Sequence, residues 1–130
     1  MQQGKPYSIL IVDDNPVFVD ALEALIIDVA GSTTVQIDKA YNGIDGLNLI
    51  LRNFYQYIFI DINMPGLSGI EVTRMVDWEL YRREHNIIAI SFHTDDEYMV
   101  EMLKAGAKHY LSKDQINHDS ISAILNTNNK

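Results

Sequence analysis

The chain predicts an α/β fold, a parallel sheet with helices on both faces, and three observations carry that reading. Short apolar runs and amphipathic helical patterns alternate five times along the sequence. The helical stretches, about 10 to 15 residues each, suit right-handed crossovers between parallel strands. Two of the strands, Ile9-Leu10-Ile11-Val12 and Ile87-Ile88-Ala89-Ile90, are continuously apolar, as strands covered on both faces are. With 130 residues and 47% apolar content, the chain suits a single domain with one core, spanning about residues 7–125. No internal repeat or linker interrupts it, and nothing after Ser122 is long enough to host an output domain.

Each element has a local cause. Ser8–Val12 is a buried strand. Asn15 caps the following helix, Pro16 occupies its first position, and Phe18, Leu22, Leu25, Ile26 and Val29 form an apolar stripe that ends at Gly31. Val35, Ile37 and Lys39 mark a less buried second strand. A weaker helix follows Asn42, with Ile44, Leu47 and Leu51 on one side. Tyr57–Asp61 is the third strand. Ser68-Gly69-Ile70-Glu71 is a capping box opening a helix whose inward residues are Val72, Met75, Val76 and Leu80. After the fourth strand, Thr94-Asp95-Asp96-Glu97 is a second capping box, and the helix it opens, carrying Val100 and Leu103, stops at Gly106. A fifth strand covers Lys108–Leu111, and a last helix carries Ile116, Ile121, Ile124 and Leu125.

Composition narrows the class of partner. A net charge of −8 disfavours a nucleic-acid surface, and the one dense basic cluster, Arg82-Arg83 with His85, is short enough to be a helix end. The Gln-Gln-Gly-Lys-Pro start is too short and polar for a signal peptide, and no apolar run reaches the roughly 18 residues of a membrane span. The absence of cysteine fits a reducing compartment. A cytoplasmic protein that signals through another protein is the expectation.

The chemistry gathers at strand ends. The first strand runs into Asp13-Asp14, the third ends in Asp61 and continues as Ile62-Asn63-Met64-Pro65-Gly66, the fourth runs into Ser91, and the fifth is followed by Lys113. In open parallel sheets ligands bind beyond the carboxyl ends of the strands, where all of these lie. Carboxylates brought so close repel one another and stay ionised only with a cation between them. Taken singly, Asp-Asp before a helix is ordinarily a cap or a solvated pair; the coincidence of four strand ends is what carries weight. His85, His93, His109 and His118 are scattered without zinc-site spacing.

Asp-Asp after the first strand, Asp-x-x-Met-Pro-Gly after the third, Ser after the fourth and Lys after the fifth resemble the receiver domain of two-component response regulators, and the likeness covers Tyr7 to Leu125. The resemblance implies a flavodoxin-like doubly wound five-stranded sheet of order 2-1-3-4-5. It implies Mg²⁺, with Mn²⁺ as a substitute, and phosphotransfer to Asp61 from a histidine kinase or histidine phosphotransfer protein. It assigns Asp13, Asp14 and Asp61, with the Asn63 backbone carbonyl, to the metal. Lys113 and Ser91 are assigned to the phosphoryl oxygens and Tyr110 to the aromatic switch. The face of the fourth helix, fifth strand and fifth helix becomes the surface for a downstream protein or a homodimer. Such a domain catalyses its own phosphorylation and dephosphorylation, with no independent substrate turnover.

Two positions depart from the family pattern. Phe92 stands where a small residue usually follows the Ser/Thr; a large ring there narrows access to Asp61 or lies outward in a partner surface, and His93 borders the same path. Asp114 replaces the proline that usually follows the lysine through a cis bond. For a non-proline residue a cis bond costs about 2.5 to 4 kcal/mol, so either that strain is tolerated or the bond is trans and Lys113 is aimed differently. Asp114 is also a credible cap for the last helix. These departures motivate an alternative, a receiver-like interaction module that no longer cycles phosphate. An aspartate-nucleophile phosphohydrolase is less favoured, because Asn63 cannot act as the general acid two positions after the nucleophile. A dinucleotide site fails because Asp13-Asp14 stands where a glycine-rich turn should be.

Overall fold

A computed structural model describes residues 7–76, 86–92 and 96–127. In chain order the elements are β1 (Tyr7–Val12), α1 (Pro16–Ala30), β2 (Val35–Ala40), α2 (Gly43–Arg52), β3 (Tyr57–Asp61), α3 (Gly69–Met75), β4 (Asn86–Ser91), α4 (Asp96–Ala105), β5 (His109–Ser112) and α5 (His118–Thr127). A 3₁₀ turn at Lys113–Gln115 joins the last two. The strands form one parallel sheet of order β2-β1-β3-β4-β5, the predicted doubly wound arrangement.

Strand alternation divides the core in two. Ile9 and Ile11 of β1, Tyr57 and Phe59 of β3, and Ile88 and Ile90 of β4 pack under α1 and α5, against Val19, Leu22, Ile26, Ile121 and Ile124. Leu10, Val12, Ile58, Ile60, Ile87 and Ala89 point to the other face, where they meet Ile50, Val72 and Met102 of α2, α3 and α4. The central strands β1, β3 and β4 are therefore buried on both sides. The edge strand β2 alternates half-buried with exposed residues along Val35–Lys39, which explains its weaker apolar signal.

Two of the helix starts are capped where the sequence places the caps. The Asn15 side chain accepts from the Val17 and Phe18 N–H groups at 3.1 and 3.3 Å. Ser68 and Glu71 exchange reciprocal hydrogen bonds at the start of α3.

Four expectations are corrected. The inward face of α2 is Gly43, Gly46 and Ile50, with Leu47 half-buried, while Ile44 and Leu51 are exposed. The helix docks on its smallest face because it lies close to β1: a Cβ on Gly46 would run into the Val12 side chain. Met75 is likewise exposed, although Val72 and Val76 of the same stretch are buried. Asp114 does not cap α5; Asn117 does, through reciprocal bonds with Ser120, the Ser120 N–H donating to Asn117 Oδ1 and the Asn117 N–H to Ser120 Oγ, each at 2.9 Å. Ile116 lies outside both the 3₁₀ turn and α5, as their bounds show, and packs against the α1–α5 core. Leu80, the Arg82-Arg83-His85 cluster, His93, and Thr94 and Asp95 of the second capping box lie outside the described residues.

Candidate functional site

The strand register assembles the site. Val12 pairs with Ile60, Asp61 with Ile90, and Ser91 with Ser112. Asp13, Asp61, Ser91 and Lys113 therefore emerge in neighbouring positions along the carboxyl edge of β1, β3, β4 and β5. The Asp13 N–H donates to the Ala40 carbonyl at 3.0 Å, extending the sheet one step past β1. The loop after β3 turns back on itself: the Gly69 N–H donates to the Ile62 carbonyl at 2.9 Å. A Cβ on Gly69 would collide with the Asp61 carbonyl, so only glycine allows α3 to start this close to the strand end.

Three carboxylates converge there, Asp13 and Asp61 buried and Asp14 exposed, each offering an oxygen within 4.8 Å of the others. Lys113 Nζ lies 2.7 Å from Asp13 Oδ2 and 3.5 Å from Asp61 Oδ2, its side chain only 5% exposed. Asp13 Oδ1 accepts the Asn15 N–H at 2.9 Å and Asp61 Oδ1 accepts the Asn63 N–H at 3.3 Å. Asp13 Oδ2 is buried, and its partner is the Lys113 ammonium. Burial first, and then the Asp13 charge, push the Asp61 carboxyl up from 3.8 to about 6, with Asp14 adding to the rise, while Lys113 and the Asn63 N–H pull the other way.

With all three carboxylates ionised, one ammonium leaves the cluster two positive charges short. All-oxygen ligands and crowded, largely buried negative charge that one ammonium does not balance fit a hard divalent cation. Asp14, Asn15, Asp61, Asn63, Ser91, Phe92 and Lys113 line a cleft of about 320 Å³ over this cluster. That volume is at the low end for small-molecule sites and suits a phosphoryl group beside a hydrated cation.

A family model described as the response regulator receiver domain matches residues 9–126. The chain belongs to this family. Over 124 residues the receiver domain is 32% identical to the nitrate/nitrite response regulator protein NarL of Escherichia coli K12, covering 95% of this chain and 56% of that protein. The chain thus spans about half the length of the curated relatives it matches. The chemotaxis protein CheY4 of Vibrio cholerae shares the fold, with a TM-score of 0.80 at 23% identity over 95% of this chain and 98% of that one. The receiver domain of the sensor histidine kinase PA1611 from Pseudomonas aeruginosa PAO1, solved with a magnesium ion coordinated in its active-site cleft, superposes with a TM-score of 0.79. It is 27% identical, over 95% of this chain and 97% of that one.

Of the residues singled out from the sequence, the receiver domain brings Asp13, Asp14, Asp61 and Lys113 into one cluster, with Asn63, Ser91 and Phe92 lining the cleft. Tyr110 is half-buried on β5, paired with Ala89 and packed against the α2–α4 side of the core. Ser91, two residues beyond Ala89, faces the same side by strand alternation. His93 lies outside the described residues. Among the described residues no peptide bond is cis, so the Lys113–Asp114 bond is trans and Lys113 still reaches the carboxylates. Phe92 borders the cleft and is 59% exposed.

Three contributors were not legible beforehand. Asn15 is a helix cap whose N–H also holds Asp13, and Gly69 is a helix start that also makes room for the Asp61 carbonyl. Phe18, expected in the apolar stripe of α1, presents its ring to Lys113, with Nζ 4.4 Å from the centroid. Apolar periodicity cannot separate a core ring from one at the site, because both occupy the same helix face.

Proposed function

We propose that residues 7–125 form one receiver domain that acts as a phosphoacceptor switch, taking a phosphoryl group on Asp61 from a phosphohistidine donor. The observation that carries this reading is the buried Asp61 carboxylate, set between two other carboxylates and the Lys113 ammonium at the mouth of a small polar cleft. Asp13, Asp14 and Asp61 with the Asn63 carbonyl would hold Mg²⁺ or Mn²⁺, whose charge keeps Asp61 ionised and offsets that of the phosphoryl oxygens.

An Asp61 oxygen attacks phosphorus in line. As the new P–O bond forms, the P–N bond of the donor breaks and its electron pair stays on the imidazole nitrogen. Lys113, which balances Asp13 and Asp61 beforehand, turns to a phosphoryl oxygen and neutralises it. The Ser91 hydroxyl donates to another phosphoryl oxygen. Because Tyr110 lies on the same side of the sheet one strand away, movement of β4 toward the phosphoryl group changes the space its ring occupies. The α4–β5–α5 face, with Val100 and Leu103 exposed on α4, is the surface through which a downstream protein or a second copy reads the change. The donor is a histidine kinase or histidine phosphotransfer protein, in the cytoplasm.

Intact-mass analysis after incubation with acetyl phosphate and Mg²⁺ tests the proposal. One phosphoryl adduct is expected, lost with Asp61→Asn and absent when the metal is chelated. An equally abundant adduct on Asp61→Asn would move the acceptor elsewhere. No adduct on the unmodified chain would favour the interaction-module reading.

A further inference from the structure

The Lys113 head group is desolvated and held by carboxylates on one side only. Its side chain is 5% exposed, with Asp13 Oδ2 at 2.7 Å and Asp61 Oδ2 at 3.5 Å. Attraction between charges sets a distance but little direction, and the lysine stem is flexible. Two aromatic rings add a further attraction. Nζ is 4.4 Å from the Phe18 ring centroid and 5.1 Å from that of Phe92, both inside the roughly 6 Å over which an ammonium is drawn to a ring face.

The two rings come from different elements. Phe18 lies on the first turn of α1, half-buried against the core, and Phe92 directly follows β4. Phe92 remains 59% exposed, so burial accounts for little of its presence at a polar cleft. A ring face differs from a carboxylate in attracting the ammonium without neutralising its charge, which stays available to a phosphoryl oxygen. Lys113 can then exchange Asp13 and Asp61 for a phosphoryl oxygen while both rings stay in contact with it.

We propose that Phe18 and Phe92 are positioning residues for Lys113, holding its ammonium over the carboxylate cluster through their ring faces rather than through bulk alone. The proposal rests on the phosphoacceptor reading and adds to it a dependence on aromatic character at position 92.

The test compares Phe92→Leu, which keeps apolar bulk without a ring, with Phe92→Ala and Phe92→Tyr. Phe92 is the better probe because its exposure spares the core, whereas Phe18 packs against it. Phosphoryl gain is followed by intact mass over a range of acetyl phosphate concentrations with Mg²⁺. Phe92→Leu and Phe92→Ala should each lower the maximal rate about fivefold with the half-saturating concentration little changed, and Phe92→Tyr should restore the rate. In a Lys113→Met background the Phe92→Leu change should have no further effect.

A second readout needs no phosphate. In the metal-free protein the Lys113 ε-methylene protons should be shifted upfield by the rings, and the shift should shrink in Phe92→Leu but not in Phe92→Tyr. If Phe92→Ala gains phosphate faster while Phe92→Leu matches the unmodified chain, the ring is a steric barrier and the positioning role is overturned. Normal phosphoryl gain in Phe92→Leu with unmoved Lys113 resonances overturns this inference alone. An unmodified chain that gains no phosphate overturns the phosphoacceptor reading and the role with it, whatever the resonances show.

Discussion

Replacing Asp61 with asparagine should make the metal-free domain more stable. The residue is 5% exposed, and burial together with the charge of Asp13 raises its carboxyl from 3.8 to about 6. A rise of about 2 units, at about 1.36 kcal/mol each, corresponds to about 3 kcal/mol of native-state destabilisation once Asp61 is ionised. Asparagine has nearly the same shape, its amide oxygen can still accept the Asn63 N–H, and Lys113 retains Asp13 as a partner. The pH dependence has a definite sign. Below about pH 4 the carboxyl is protonated in folded and unfolded chains alike, and the two proteins should be equally stable. As the pH rises through about 6 the native state alone has resisted ionisation, so the unmodified chain loses stability relative to Asp61→Asn until the gap is complete. At neutral pH a gap of about 3 kcal/mol in a domain of this size moves the melting temperature by about 10 °C. Thermal or urea denaturation in chelator, from pH 4 to pH 8, measures it. Equal stability at pH 8, or a gap that does not close toward pH 4, would refute the electrostatic account of the cluster.

Three further outcomes follow from the same geometry. Mg²⁺ at a hundredfold excess over its dissociation constant should stabilise the unmodified chain by about 2.7 kcal/mol at pH 7.5 and much less below pH 6, with Asp61→Asn responding weakly; equal melting shifts in the two proteins would place the cation elsewhere. Gly69→Ala should cost about 1 to 3 kcal/mol, because its new methyl group meets the Asp61 carbonyl, and should weaken Mg²⁺ binding measured by calorimetry; an unchanged melting temperature would deny that close approach. Asn117→Ala should lower stability by about 1 kcal/mol in urea denaturation while Asp114→Ala leaves it near the original, since Asn117 carries the cap of α5; the reverse ranking would return the cap to Asp114.

Much of the domain is local in origin and so was legible in the linear order of residues. Apolar runs, the Asn15-Pro16 start of α1 and the Ser68–Glu71 box act within a few residues of one another, and they place strands and helix ends without reference to the rest of the chain. The candidate site was legible for a related reason. In a parallel sheet every strand ends at the same edge as its neighbours, so Asp13, Asp61, Ser91 and Lys113 are gathered by their position in sequence alone. Tertiary structure decided whatever depends on the distance between elements. The approach of α2 to β1 selects the glycine face of that helix and turns Ile44 and Leu51 outward, against its apolar periodicity. The packing of α1 brings Phe18, a residue indistinguishable in sequence from its core-facing neighbours, to the Lys113 ammonium. The high affinity of Asp61 for its proton belongs to this second class as well: it comes from the burial and charge that only the folded chain brings around it.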